Sequence, residues 1–232
     1  MNCYPLDTDK PEMLKGIEPS RLVELAFFAP QWMELVREHL KWKGFNEAYY
    51  YFVAHTKESD SEAKRAQIAL YTDLAPEELA DGAFDARLFN EAFKLVGKKN
   101  FALFYDAAKY MGSSNYHSRA RRFADVTQGL IKETELYEQI DKTRNKDALC
   151  ALGLVPLPKS KVDTALLKRY KRIQAFLKES KQFGAQRQTS EKRTAEIALI
   201  NLARSAGYDD VIQLVWRMEG HLVADNKAML DG

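Results

Sequence analysis

The sequence predicts an all-α protein, an array of about a dozen helices arranged as stacked helical hairpins with no significant β-sheet. Three observations carry that prediction. Apolar residues recur at helical spacing in segment after segment; no stretch gives a sustained period-two alternation; and glycine, proline and short polar residues punctuate the apolar stripes. The 232 residues are 46% hydrophobic and 11% aromatic, enough to bury a sizeable core, which argues against a disordered chain.

Ser20 suits the N-cap of a first helix carrying Leu22, Val23, Leu25 and Ala26, and Pro30 opens a second with Trp32, Val36 and Leu40 on one face. After Gly44, the residues Phe45, Ala48, Tyr49, Phe52 and Val53 fall at i, i+3, i+4, i+7 and i+8, a continuous apolar stripe. Tyr50 and Tyr51 lie off that stripe. Consecutive helical residues point about 100° apart, so the expectation is that two of the three tyrosines are buried and one is wet.

Ser59 and Glu62 stand at capping-box spacing before a helix to about Thr72. Pro76 fits the first turn of a short helix ending near Gly82, where Glu77, Glu78 and Asp81 suit capping and the helix macrodipole better than acid-base chemistry. Asp85 caps a helix through Leu88, Phe89, Ala92 and Val96 to Gly97. Phe101, Phe104, Tyr105 and Ala108 make the next stripe, closed by Gly112, and Tyr116, Ala120, Phe123, Thr127 and Leu130 the one after. Helices over 133–143 and 145–152 follow.

Two prolines and a glycine between Gly153 and Pro158 make the sharpest break in the chain. Either it separates an N-terminal helical subdomain, 1–153, from a C-terminal one, 159–232, or the chain is one continuous domain. Beyond it Leu166, Tyr170, Ile173 and Leu177 form a helical stripe with Phe176 at its edge. Gly184 is read as the end of that helix, with Thr189 or Ser190 starting the next and Gly207 stopping it. Asp209 opens a final helix whose core face is Val211, Leu214, Val215, Met218 and Leu222. No strict repeat at a fixed period assigns the array to a solenoid family.

Charge is segregated along the chain. Residues 159–193 hold eleven Lys or Arg against three acids, an excess of +8, although the whole chain carries only +2. Residues 1–96 hold seventeen acids and eleven bases, net −6. Opposed acidic and basic regions of this kind are a physical basis for binding a charged partner. On the helix carrying Leu166 and Tyr170, the residues Lys168, Lys171 and Arg172 lie broadly opposite the apolar stripe, while Arg169 and Lys178 flank it. The run Ser118-Arg-Ala-Arg-Arg122 extends the basic surface. Arg119, Arg122, Lys168, Lys171 and Arg172 are therefore the candidate residues for binding nucleic acid or an acidic partner.

The chemistry that needs a sequence signature lacks one. His39, His55, His117 and His221 show no two-histidine metal spacing, and Glu38-His39 lacks the second histidine of a zinc-protease helix. Neither a GxGxxG nor a GxxxxGK[ST] loop occurs. Ser61-Glu-Ala-Lys64 has the serine-to-lysine spacing of some acyl-transfer enzymes, but a helix start explains it better. No catalytic residue, metal or cofactor is expected. Cys3 and Cys150 are too few for a disulfide framework and are read as reduced thiols. No apolar run reaches the roughly 20 residues of a membrane span and the N-terminus lacks signal-peptide order, so a cytoplasmic location is expected.

The residues from Leu25 to Phe52 resemble a stretch of large bacterial proteins of unknown function. So do Ile68-Ala-Leu-Tyr-Thr-Asp-Leu74, Asp106-Ala-Ala-Lys-Tyr110, Arg144-Asn-Lys-Asp147, the run from Phe176 to Arg187, and Asn201-Leu-Ala-Arg-Ser-Ala-Gly-Tyr208. These are very long proteins that resemble the molybdate metabolism regulator and often bear a WGR module. The resemblance spans nearly the whole chain and implies that it is a piece of such a protein or a short relative. It supplies no catalytic residues, and no Trp-Gly-Arg tripeptide occurs to carry over that module.

Two functions follow as expectations. The first is a non-catalytic helical scaffold that meets other domains of a larger parent protein, or protein partners, through its charged faces. The second is a nucleic-acid-binding regulatory domain, although no groove-reading motif accompanies its basic face.

Overall fold

A helix apolar on every side must be covered on every side, and α3 (Phe45–Ala54) is the centre of the first half of the molecule for that reason. In the computed structural model, which describes residues 4–6, 8–56, 61–112, 115 and 117–230, twelve α-helices and four short 3-10 turns are present among the described residues, and no strand. The all-α expectation is met. The chain divides into two compact units, Met1–Ala80 with Asp85–Arg121, and Asp81–Phe84 with Arg122–Gly232. The Gly153–Pro158 segment lies inside the second.

In the first unit, α1 (Pro19–Phe28), α2 (Met33–Leu40), α4 (Glu62–Ile68), α5 (Pro76–Asp81) and α6 (Ala86–Ala107) accompany α3. Phe45, Tyr51 and Phe52 of α3 meet Phe104, Phe89 and Phe101 of α6 at centroid distances of 5.1, 5.3 and 5.3 Å. Tyr49 stacks on Phe27 of α1 at 4.9 Å, and Tyr50 stacks on Tyr71 at 4.2 Å. All three consecutive tyrosines are thus buried, which corrects the expectation that one is wet. Each finds a different neighbour, and the Tyr51 hydroxyl donates to the Ala120 carbonyl at 2.9 Å.

Backbone signals placed most of the ends. Asp85 accepts from the Leu88 N–H at 2.9 Å and caps α6 as expected. Gly97, at φ 78° and ψ 154°, breaks α6 where the sequence placed an end. Gly44 (φ 80°) caps α3 against α6 so closely that a Cβ there would sit 2.4 Å from the Leu95 Cβ. Ser20 is not a cap: Glu18 precedes the helix and Pro19 takes its first turn, where a missing N–H costs nothing. Ser59 lies outside the described residues; Ser61 caps α4 by accepting from the Lys64 N–H at 3.3 Å. That bond is the helix start read into the Ser61–Lys64 spacing.

The second unit contains α8 (Glu133–Thr143), α9 (Lys146–Leu152), α10 (Val162–Glu179), α11 (Ala185–Ser205) and α12 (Val211–Leu230); α7 (Ser118–Thr127) carries residues of both units. Asn145 caps α9 by accepting from the Ala148 N–H at 2.9 Å. Gly184 is the N-cap of α11 rather than the end of α10, so Thr189 and Ser190 lie inside α11. Thr189 turns its hydroxyl back to the Ala185 carbonyl at 3.0 Å, an alternative to capping open to threonine within a helix. Leu130, read as part of a stripe, lies beyond α7 and is 67% exposed. The Gly153 Cα lies so near α11 that a Cβ would meet the Leu202 nitrogen at 2.6 Å. Asn201, fully buried, accepts from the Phe84 N–H at 2.9 Å and donates to the Gly82 and Cys150 carbonyls at 3.0 and 3.2 Å. One side chain thus satisfies three buried backbone groups and fastens the 81–84 segment to the second unit. No described helix is long and apolar enough to cross a membrane.

Candidate charged interface

The helix at the centre of the basic segment, α10, buries Leu166, Tyr170, Ile173 and Phe176. Phe176 is wholly inside rather than at the edge, and Leu177 is only half-buried. This rotation carries Arg169 into the core. Its guanidinium, 2% exposed, donates to Glu133 at 3.0 Å and to the Val155 and Pro156 carbonyls at 2.6 and 3.3 Å. A buried cation is tolerable only with such a set of acceptors.

The five candidate residues are placed as follows. Lys168 is exposed but pairs with Glu133 at 2.9 Å and lies over the Tyr137 ring. Arg172 is mostly buried and pairs with Asp141 at 2.6 Å, with Glu179 at 3.6 Å. Lys171 is exposed on the same helix. Arg122 is half-buried and donates to Asn145 Oδ1 at 3.0 Å, the oxygen that also caps α9. Arg119 is buried in the first unit, where it donates to the Leu79 and Ala80 carbonyls at 3.3 and 2.6 Å and so satisfies the C-terminal end of α5. Lys168, Lys171 and Arg172 therefore share α10, and Arg119 and Arg122, three residues apart on α7, belong to different units.

The strongest charge cluster is centred on Arg144 and touches the five only where Arg172 reaches Glu179. Arg144, left-handed at φ 50° just after α8, donates to both oxygens of Glu191 at 3.1 and 2.7 Å, to Glu179 at 2.7 Å and to the Phe176 carbonyl at 2.8 Å. Its guanidinium lies 4.0 Å over the Phe176 ring, and Arg187 reaches Glu191 from the other side at 2.9 Å. Burial pushes the Glu191 carboxyl up, but hydrogen bonds from Arg144 and Arg187 outweigh it and hold it down at about 2. Asp163, the remaining acid of the basic segment, is held below its ordinary value chiefly by the hydrogen bond from Arg217. The signal available in the sequence was the scarcity of these acids: Asp163, Glu179 and Glu191 are the only three in residues 159–193, and each has an arginine partner.

In the first unit, His55 is fully buried, with Nδ1 2.7 Å from the Tyr51 carbonyl and Nε2 accepting from the Asp85 N–H at 3.1 Å. Burial lowers its pKa to about 4, so the ring is a neutral structural bracket. An open cleft of about 690 Å³ near α2 and α3 is lined by Arg37, Lys41 and Lys43 but equally by Glu12, Glu38 and Glu47, so its charge favours neither sign. Among the described residues no group of three or more His, Cys, Asp or Glu is placed to hold a metal ion. Cys150 is a buried free thiol, and Cys3 lies outside the described residues.

The arrangement does two things. It uses the arginines of the basic half to join helices, and it leaves lysines at the surface. No curated protein and no solved structure matches the chain. A family model does match, over residues 1–218, and the chain belongs to that family, described as a family of unknown function (DUF5724).

Proposed function

We propose that this chain is a non-catalytic helical interaction module of a larger bacterial protein, a scaffold that orients neighbouring domains or protein partners. The larger bacterial parent rests on the sequence resemblance. The interaction role rests on one observation: Arg144, Arg169 and Arg172 are bound to Glu191, Glu133 and Asp141 within the fold. Arginine is the residue best suited to grip phosphate bidentately, and here its forks are closed on carboxylates. A nucleic-acid interface would need them open toward a phosphate backbone. The alternative, a regulatory domain that binds nucleic acid, keeps only the exposed lysines of α10.

The test is a titration of the protein into labelled duplex DNA and single-stranded RNA at low and near-physiological salt. The expected result is weak binding at low salt that vanishes near physiological ionic strength. Tight binding whose affinity falls log-linearly with salt, and which is lost in a folded Lys168→Gln, Lys171→Gln variant, would replace this reading with the alternative.

A further inference from the structure

We infer that a groove on the α10–α11 hairpin is a docking site for an acidic, amphipathic helix of a protein partner; this rests on the scaffold reading and names its partner class. The groove, about 410 Å³, lies at the turn that joins the two helices. Leu177, Ser180 and Lys181 form one wall, and Ala185, Gln188, Thr189 and Lys192 of α11 form the other. The four α11 positions fall at i, i+3, i+4 and i+7, the row along which a second helix lies. Ala185 is small enough to let a backbone approach, and half-buried Leu177 supplies the apolar contact. Gln188, also in the lining, donates its amide to the Phe183 carbonyl at 2.6 Å.

The sign of the partner follows from what the fold has left over. Most arginines of the basic segment are paired inside the second unit, but Lys178 and Lys181 are exposed with no ion pair among the described residues, and Lys192 meets Glu196 only at 4.0 Å. Lys181, from the turn after α10, and Lys192, from α11, both line the groove, and no acid lines it. A helix with glutamates on either side of a small apolar stripe would place a carboxylate near each lysine and the stripe over Leu177 and Ala185. Lysine, a mobile point charge, suits that contact better than it suits bidentate phosphate recognition.

The experiment is fluorescence anisotropy at near-physiological salt with three labelled probes: an amphipathic helical peptide with glutamates flanking a leucine-alanine stripe, the same peptide with lysines for glutamates, and duplex DNA. Only the acidic peptide is expected to bind. Lys181→Glu with Lys192→Glu should weaken it about ten-fold or more. Ala185→Leu, which adds bulk to the lining without changing charge, should also weaken it. Lys159→Glu with Lys161→Glu, exposed cations of the same segment outside the groove, should leave it unchanged, and circular dichroism verifies that each variant is folded. No binding of the acidic peptide, or equal loss in the Lys159/Lys161 variant, overturns the groove while leaving the scaffold reading in place. DNA binding abolished by the Lys181/Lys192 substitutions would overturn both.

Discussion

His55 shows how a single side chain links this fold to pH. Its Nδ1–H donates to Tyr51 and its Nε2 accepts from Asp85, so protonation would set an N–H against an N–H in a site without water access. The folded pKa, about 4, is below the ordinary 6.5. The unfolded chain therefore binds a proton between those values that the folded chain does not, and stability present above pH 6.5 is lost as pH falls toward 4, by about 3 kcal/mol. Glu191 acts in a lower window: its depressed carboxyl contributes stability above its ordinary 4.5 that is lost as pH falls toward 2. Urea unfolding as a function of pH separates them. His55→Gln, which keeps a donor and an acceptor but cannot titrate, should flatten the loss between pH 6.5 and 4 and leave the fall at lower pH in place. An unchanged profile in that variant would remove His55 from the account.

At the scale of elements, close approach of helices depends on what a glycine omits. Gly153 has an ordinary helical φ of −66°, so alanine there would carry no backbone penalty. Its added Cβ, however, would press on the Leu202 nitrogen and, at 3.0 Å, on the Ala198 carbonyl oxygen of α11. Gly153→Ala should destabilise by roughly 2 kcal/mol. Gly220→Ala, inside α12 with nothing within 4 Å, should stabilise by about 0.5 kcal/mol in the same denaturation assay. A similar response from both variants would show that α9 and α11 do not meet as described. Helix starts at Pro76, Asp85 and Asn145 were legible in the sequence because their signals are local, a cap side chain or a proline within one turn. The start of α11 was not, because Thr189 and Ser190 look like caps while the chain caps with the backbone of Gly184. The burial of Tyr50 was hidden for a different reason: its cover, Tyr71, comes from another part of the chain.

Over the whole molecule, the sequence disclosed how much charge there is and not where it goes. The +8 excess of residues 159–193 is plain from counting. Where its arginines find carboxylates is not, since Arg169 and Glu133 are 36 residues apart and Arg172 and Asp141 are 31 apart. Helical periodicity placed Arg169 at the flank of α10 and Phe176 at its edge, whereas a rotation of the stripe toward Phe176 draws both inside. The same rotation separates arginines that hold helices together from lysines left at the surface. A double-mutant cycle on Arg144→Met and Glu191→Leu, read by urea denaturation, tests it most directly. Arg144→Met leaves Glu191 with Arg187 alone, and Glu191→Leu leaves Arg144 with Glu179 and the Phe176 carbonyl, whereas the double change leaves an apolar pair. The predicted result is a double variant less destabilised than the sum of the singles by about 2 kcal/mol. Additivity within about 0.5 kcal/mol would mean that Arg144 is a surface charge like any other, and would contradict its role in holding α8 to α11.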